Sequence, residues 1–518
     1  MHLADSFRPM QNGEDTASPK SPVPSPESLE RKIVLLLCIL AAVRIFIFSA
    51  AFPFFNNVDE TAHFDLIIKY SRGDVPRGMD TISADSASYI ALMNSRVYYG
   101  SPNKFPSGRM PLPLWTEPAP QMQADLATSS ASWQKLENYE ISQNPLYFLL
   151  AGIWWHAGKC LGFHDGGLLY WLRFLNILIV AAIVWLGYLT ARTVFPKDVF
   201  LKLTVPALLA FLPQTAFYSL GNDTISALCF GATFICLLKW LHRERPSVLL
   251  GATTGLAFAA AYLAKVTNFP LLIVTLGVLS LKAFQNVRER KWPAVAPAFM
   301  AFLGCAVPLI GCWMLWSKLH FGDLTGSKLN TQFFALTIKP FADWWHHPIF
   351  SPSGIWTYLS GQMTTFWQGQ FMWHYQFLML PGTDIFYTAL SLGLFAAALT
   401  RLSSRSNPDA FQRHALWLSM VCFMILLLFF AILSVIYDFS GCPDPTPAHP
   451  YFREGRLMIG ALVPFMLIMA YGLDRVLNGL KTTTKFITLS TLIAIMFAVE
   501  IGTDWPAFSN PYNWFHLP

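Results

Sequence analysis

One stretch of the chain reads Asn56-Asn57-Val58-Asp59-Glu60-Thr61-Ala62-His63-Phe64-Asp65. Two adjacent carboxylates follow the first long apolar run, where a short helix begins. The pair has two readings. As an N-cap, Asp59 would accept from the first free amides of the helix, and Glu60 would favour its positive end. As a general base, a carboxylate beside low-dielectric lipid has its charged form disfavoured and its basicity raised. His63 follows Asp59 by four residues and so shares its helical face. It would orient the carboxylate, touch a substrate, or simply be a polar residue at the interface. A second polar approach, Tyr139-Glu140-Ile141-Ser142-Gln143-Asn144-Pro145-Leu146-Tyr147, runs into aromatic and aliphatic residues. A proline there fits the first turn of a helix.

The elements that must position these residues are set by composition. Of 518 residues, 54% are hydrophobic, 15% aromatic and only 13% charged. Soluble domains carry roughly 25% charge. That excludes a string of soluble domains, a nucleic-acid binder and a coiled coil, and predicts an all-α polytopic membrane protein. The net charge of +6 fits lysines and arginines at the cytoplasmic ends of helices. Cys38, Cys229, Cys236, Cys305, Cys312 and Cys422 lie inside apolar runs and read as small hydrophobes. No Cys-x-x-Cys pair is present, so no zinc or redox motif is expected.

Eleven spans are predicted, at about 33–53, 168–190, 199–217, 222–241, 247–265, 268–284, 294–317, 383–401, 414–437, 457–474 and 486–502. Residues 1–32 read as a disordered cytoplasmic tail. Residues 33–317 read as one transmembrane module, including an outer loop at 54–167. A second outer loop, 318–382, reads as a possible lid, followed by helices to 502 and an outer tail at 503–518. Arg31, Lys32, Arg192, Lys197, Arg243, Arg245, Arg288, Arg290, Lys291, Arg401, Arg405, Arg413, Lys481 and Lys485 then fall on one side. The positive-inside rule makes that side cytoplasmic, with the N-terminus inside and the C-terminus outside. This works only if the Trp- and Tyr-rich stretch 145–158 lies in the interface rather than crossing it. Arg44, mid-span, is a functional-site candidate with no partner evident in the sequence. Most tryptophans of the second loop (Trp344, Trp345, Trp356, Trp367 and Trp373) read as an aromatic belt.

Four landmarks carry a resemblance. They are Asp59-Glu60 with His63-Phe64, Gln143-Asn144-Pro145-Leu146-Tyr147, Leu212-Pro213 with Gly221-Asn222-Asp223, and Arg453-Glu454-Gly455-Arg456-Leu457 before Ala470-Tyr471-Gly472-Leu473. In this order and on one side, they resemble the GT-C superfamily of polyprenyl-phosphate-sugar-dependent membrane glycosyltransferases. The aminoarabinose transferases, the protein O-mannosyltransferases and a group of bacterial relatives belong there. The resemblance spans about residues 33–475 and departs at two points. Asn144-Pro145 stands where two prolines are common, and Leu457 stands where a tyrosine follows Gly-Arg.

The resemblance implies a GT-C-like bundle of about 11 helices with exoplasmic juxtamembrane helices. It implies Asp59 as the catalytic base with Glu60 beside it, and Asp223 as a second acidic position, which also reads as an N-cap. A lipid phosphate needs cations at the outer interface. Arg456, Arg453 and Lys265 are the candidates, and snorkelling is the alternative role of each. His63, Tyr147 and Asn222 are candidates for substrate contact. The expected partners are a polyprenyl-phosphate-linked sugar, the bilayer, and a glycan, lipid or protein acceptor, at a bacterial inner membrane. No metal ligands and no cofactor are assigned; a divalent ion occurs in some of the superfamily but has no support in this sequence. The rival expectations are a transporter or flippase of lipid-linked precursors, and a non-catalytic scaffold for envelope assembly. Transporters tend to show paired repeats and broken midplane helices, whereas no internal repeat is seen and the polar residues concentrate outside.

Overall fold

The computed structural model describes residues 26–57, 59–93, 103, 105, 108, 110–370, 372–373, 376–402, 409–439, 441 and 444–518. Most of the expected N-terminal tail, along with Val58, His374 and Arg405, lies outside these residues. The protein is an all-α polytopic membrane protein. Among the described residues, nine helices are long and apolar enough to cross a membrane: Glu27–Ala51, Asp165–Val194, Asp223–His242, Val266–Arg288, Trp292–Phe321, Thr383–Thr400, Ala410–Ile436, Gly455–Val476 and Thr482–Phe508. Helix α1 (Pro26–Ala51) begins six residues before the end of the tail expected at 1–32. Before the next long helix come α2 (Glu60–Ser71), α3 (Ala84–Met93), α4 (Ala119–Trp133) and α5 (Leu146–Cys160). The bundle continues with α6 (Asp165–Arg173), α7 (Leu175–Val194), α8 (Val199–Ala210), α9 (Asp223–His242), α10 (Val248–Ala264), α11 (Phe269–Arg288) and α12 (Trp292–Phe321).

Two of the eleven expected spans are short. Helix α8 has 12 residues and α10 has 17, or about 18 and 25 Å at 1.5 Å per residue, against about 30 Å of hydrocarbon. The span expected at 199–217 ends as a helix at Ala210, and a 3-10 turn follows at Thr215–Tyr218. Irregular backbone at that depth is tolerated because it is buried in protein: Leu212, Gln214, Phe217 and Tyr218 are all buried. Helix α10 instead packs tightly against α12. A Cβ on Gly251 or Gly255 would collide with the Ala298 and Phe302 carbonyls, the close approach that a small-xxx-small stripe permits in lipid.

The second long loop folds as α13 (Ser327–Phe333), α14 (Phe341–Trp344) and α15 (Pro352–Gln368). Its strand Leu336–Ile338 pairs antiparallel with Tyr437–Phe439. The chain closes with α16 (Thr383–Leu402), α17 (Ala410–Ile436), α18 (Leu462–Val476) and α19 (Thr482–Phe508). Trp367 is no belt residue: it is buried, stacks on Tyr387 and donates to Ser391. Trp345 and Trp356 are exposed. The final residues are packed rather than loose, because Tyr512 is buried and the Tyr170 hydroxyl donates to its carbonyl.

Ion pairs fix which helix ends lie together. Glu27 with Arg192 and Glu30 with Lys202 hold the start of α1 to α7 and α8. Asp474 with Lys485 closes the α18–α19 turn, and ring contacts of Phe195 with Tyr471 and Phe200 with Phe486 bring that turn to the same basic end. The opposite end carries the loops and the polar cluster described next.

Candidate functional site

At this opposite end Asp59 directly precedes α2. Its backbone is left-handed, with φ 65° and ψ −1°, and its side chain makes no capping hydrogen bond. Few non-glycine residues adopt this conformation, and where they do the surroundings impose it. Here it turns the carboxylate away from its own helix. Oδ1 accepts from the Tyr139 hydroxyl at 2.9 Å, and Oδ2 accepts from Arg456 Nη2 at 2.6 Å.

Arg456 is the hub. It sits in the 3-10 turn Gly455–Ala461, just before α18. Besides Asp59, its Nη1 reaches Asp223 Oδ2 at 3.2 Å and its Nε donates to Gln370 Oε1 at 2.6 Å. Asp223 opens α9 and also accepts from Lys265, which ends α10. Two carboxylates and two cations from four distant segments thus form one buried network. Asp223 and Lys265 are nearly inaccessible, and the Asp59 side chain keeps 16% of its exposure.

The electrostatics follow from this geometry. Burial alone would raise the Asp59 carboxyl, but the Arg456 charge, the proximity of His63 and the hydrogen bonds from Arg456 and Tyr139 outweigh it and hold the group below the usual carboxylate value. His63 is pushed down to about 4, first by burial and then by Lys265 and Arg456, against the pull of Asp59 and Asp223. It is therefore neutral at physiological pH. Its ring stacks on Phe148, and Nδ1 has no partner among the described residues. Glu140 is pushed up to about 8 by burial and by the Asp59 charge, so it holds its proton at neutral pH. Glu454 is also raised by burial, although Arg456 lies 3.8 Å away.

A small cavity beside the network is lined by Asn57, His63, Ser219, Gly221, Asp223 and Arg456. Asn222 donates to Gln143 Oε1 at 3.1 Å, while its own Oδ1 has no partner. The Tyr147 hydroxyl accepts from the Gly221 amide at 3.2 Å, which ties α5 to the turn before α9. Asp59, Asp223, Lys265, Arg456, His63, Asn222 and Tyr147 therefore share one neighbourhood.

Two sequence candidates lie elsewhere. Glu60 points inward and is saturated. It takes a bidentate fork from Arg173 at 2.8 Å, and amides from Phe55 and Leu220 at 2.8 and 2.9 Å. A carboxylate with four donors and no access to solvent has no lone pair to offer a substrate, which corrects its expected catalytic role. Arg453 pairs with Asp444 at 2.9 Å and makes no ion pair with Asp59 or Asp223 among the described residues, so it stands outside the Arg456 network. Arg44 does have a partner: Nε donates to Glu500 Oε2 at 2.8 Å, and the guanidinium also holds the Ala210 and Leu212 carbonyls at the end of α8.

Tyr139, Glu140, Gln370 and Glu454 were not among the sequence candidates. Tyr139 and Glu140 lie in the polar approach to α5, which spacing alone marked only as a helix start. Nothing in the sequence points to Gln370. Among the described residues, no three His, Cys, Asp or Glu side chains gather as a metal-ligand set. A family model described as "Predicted membrane protein (DUF2142)" matches residues 43–438. No curated protein matches the chain.

Proposed function

The chain belongs to the DUF2142 family of predicted membrane proteins, and we propose that it is a glycosyltransferase moving a sugar from a polyprenyl-phosphate donor to an envelope glycan, lipid or protein. The observation that carries this reading is the buried Asp59–Arg456–Asp223–Lys265 network at the mouth of a membrane bundle. By the positive-inside rule that mouth faces away from the cytoplasm of a bacterial inner membrane.

The reaction uses these residues as follows. The donor phosphate enters at the interface and takes the guanidinium of Arg456 and the ammonium of Lys265, both suited to a phosphate anion. Asp59 then loses the partner that holds its carboxyl low, while burial, which raises it, remains. It becomes a stronger base once the donor is in place. The acceptor hydroxyl gives its proton to Asp59 as its oxygen bonds to the anomeric carbon. The bond from that carbon to the phosphate oxygen breaks, and its electron pair leaves on the lipid phosphate, which Arg456 and Lys265 stabilise. Tyr139 orients Asp59. Protonated Glu140 adds no negative charge against the incoming phosphate. Glu60 sits in its Arg173 fork and Asp223 is held by Lys265 and Arg456, so neither serves as a covalent nucleophile and the anomeric configuration inverts.

Mass spectrometry of lipid retained by the purified protein tests the donor class. A polyprenyl phosphate or its sugar ester should accompany the wild type and be largely lost from Arg456→Gln. Retention of ordinary phospholipid alone by both proteins would contradict the reading.

A further inference from the structure

A second polar cluster lies inside the bundle, apart from the network above. Helix α19 carries Glu500 and Asp504 four residues apart and so on one face. Both are buried at 2% exposure. Arg44 satisfies Glu500 with a fork. Among the described residues Asp504 receives only a neutral donor, the Tyr218 hydroxyl, at 2.7 Å on Oδ2. The cluster therefore holds one guanidinium against two carboxylates, and neutrality at this depth calls for one further positive charge on Asp504, a proton or a small cation.

Beside Asp504 is a cavity of about 10 Å³, lined by Pro213, Thr215, Gln368, Glu500, Thr503 and Asp504. That is room for roughly one water-sized particle. Two of its side chains, each 7% exposed, present polar atoms without a partner among the described residues: Thr503 Oγ1 and Gln368 Nε2. The orphaned amide nitrogen is a matter of orientation, since amide oxygen and nitrogen are assigned from the hydrogen-bond network. The Thr383 hydroxyl spends its proton on the Leu380 carbonyl at 2.9 Å and stands 3.4 Å from Gln368 Oε1. Turning the amide lets Nε2 donate to the Thr383 oxygen and points Oε1 into the cavity. Its polar lining then offers oxygen from Gln368, Thr503 and Asp504.

We propose that this cavity binds a single sodium ion, held by Asp504, Thr503 and Gln368. Oxygen ligands suit a hard cation. One uncompensated carboxylate matches one positive charge, and Glu500 is already committed to Arg44. The ion would tie α19 to the end of α15, beside the Tyr218 hydroxyl that already ties α19 to the turn after α8. Gln370, two residues past Gln368, holds Arg456, so the ion also stiffens one support of the outer network.

The test uses the full chain in lipid nanodiscs, with sodium chloride exchanged for choline chloride at constant ionic strength. Radiolabelled sodium should bind saturably, one ion per chain, and Tm should rise along the same curve. Thr503→Val should weaken binding about tenfold, the scale of one lost ligand, and Asp504→Asn should abolish it. If Asp504→Asn fails to fold, Thr503→Val still decides. Absence of saturable binding overturns the proposal, as does undiminished binding in Thr503→Val. A Tm that follows pH but ignores sodium also overturns it, and assigns the compensating charge to a proton on Asp504.

Discussion

Glu60 accepts two hydrogen bonds from Arg173 and two from backbone amides, whereas Asp59 next to it accepts from side chains brought by two distant loops. The left-handed backbone at Asp59 is what separates them, and nothing in the sequence announces it. The N-cap reading of Asp59 was chemically sound, but the side chain makes no cap bond because Arg456 and Tyr139 claim it. Glu60 is a structural anchor: Arg173 also holds the Ser49, Phe52 and Pro53 carbonyls at the end of α1. Glu60→Ala leaves a buried arginine without its charge partner and should cost about 3–5 kcal/mol, read from denaturant or thermal unfolding. Replacing both Glu60 and Arg173 by leucine should not restore stability, because the amides and carbonyls they satisfy would be orphaned; full rescue would refute the anchor role. Glu140 gives a pH signature. Its carboxyl lies at about 8 in the fold against 4.5 as a free group. Its contribution to stability is fully present below pH 4.5 and is lost as pH rises through 8. Glu140→Gln cannot ionise, so between about pH 5 and about pH 9 its Tm should fall less than that of the wild type. Parallel Tm profiles would contradict the assignment, and the opposing slope from His63 cancels in the comparison.

At the scale of elements, the sequence located helices better than it located their depth. Apolar length and terminal charge placed eleven helices where helices stand, since each span must satisfy its own backbone in lipid. They did not reveal that α8 stops at Ala210 and that the chain then runs buried and irregular to Asp223. That segment is stabilised by contacts from elsewhere, including Arg44 on the Ala210 and Leu212 carbonyls. A mid-span arginine signalled that a partner must exist, and by the same rule Arg173, inside the span expected at 168–190, was an equally visible signal. Another element sets the hub: the turn bearing Arg456 packs against α15 at Gly455, where a Cβ would strike the Gln362 carbonyl and lie 2.8 Å from the Phe366 amide nitrogen. Gly455→Ala should cost about 1–3 kcal/mol as overpacking. Because it shifts Arg456, it should also cut turnover by about 100-fold, the scale of a 1 Å misplacement. Turnover and donor KM at wild-type values would show that this contact does not position the hub.

Across the whole molecule, the fold class was legible because composition alone distinguishes lipid from water as solvent. The candidate network was legible only in part. Asp59, Asp223, Lys265 and Arg456 stood out as rare charges at one end of the bundle. Their pairing spans up to 397 positions in the chain and depends on a packing that periodicity does not encode. The neutral supports, Tyr139 and Gln370, carry no compositional signal at all. In the assembled protein the network is balanced, two carboxylates against two cations, and it joins the first long loop to three helix ends. That balance makes a phosphate a competitor for Arg456 and makes Asp59 the group set free. The decisive measurement is release of polyprenyl phosphate from a panel of polyprenyl-phosphate sugars by purified wild type and Asp59→Asn of equal thermal stability. Turnover by the wild type with at least one donor is expected, with a loss of about 100- to 10,000-fold in the variant and donor binding retained. Equal turnover by the two proteins would contradict Asp59 as the base.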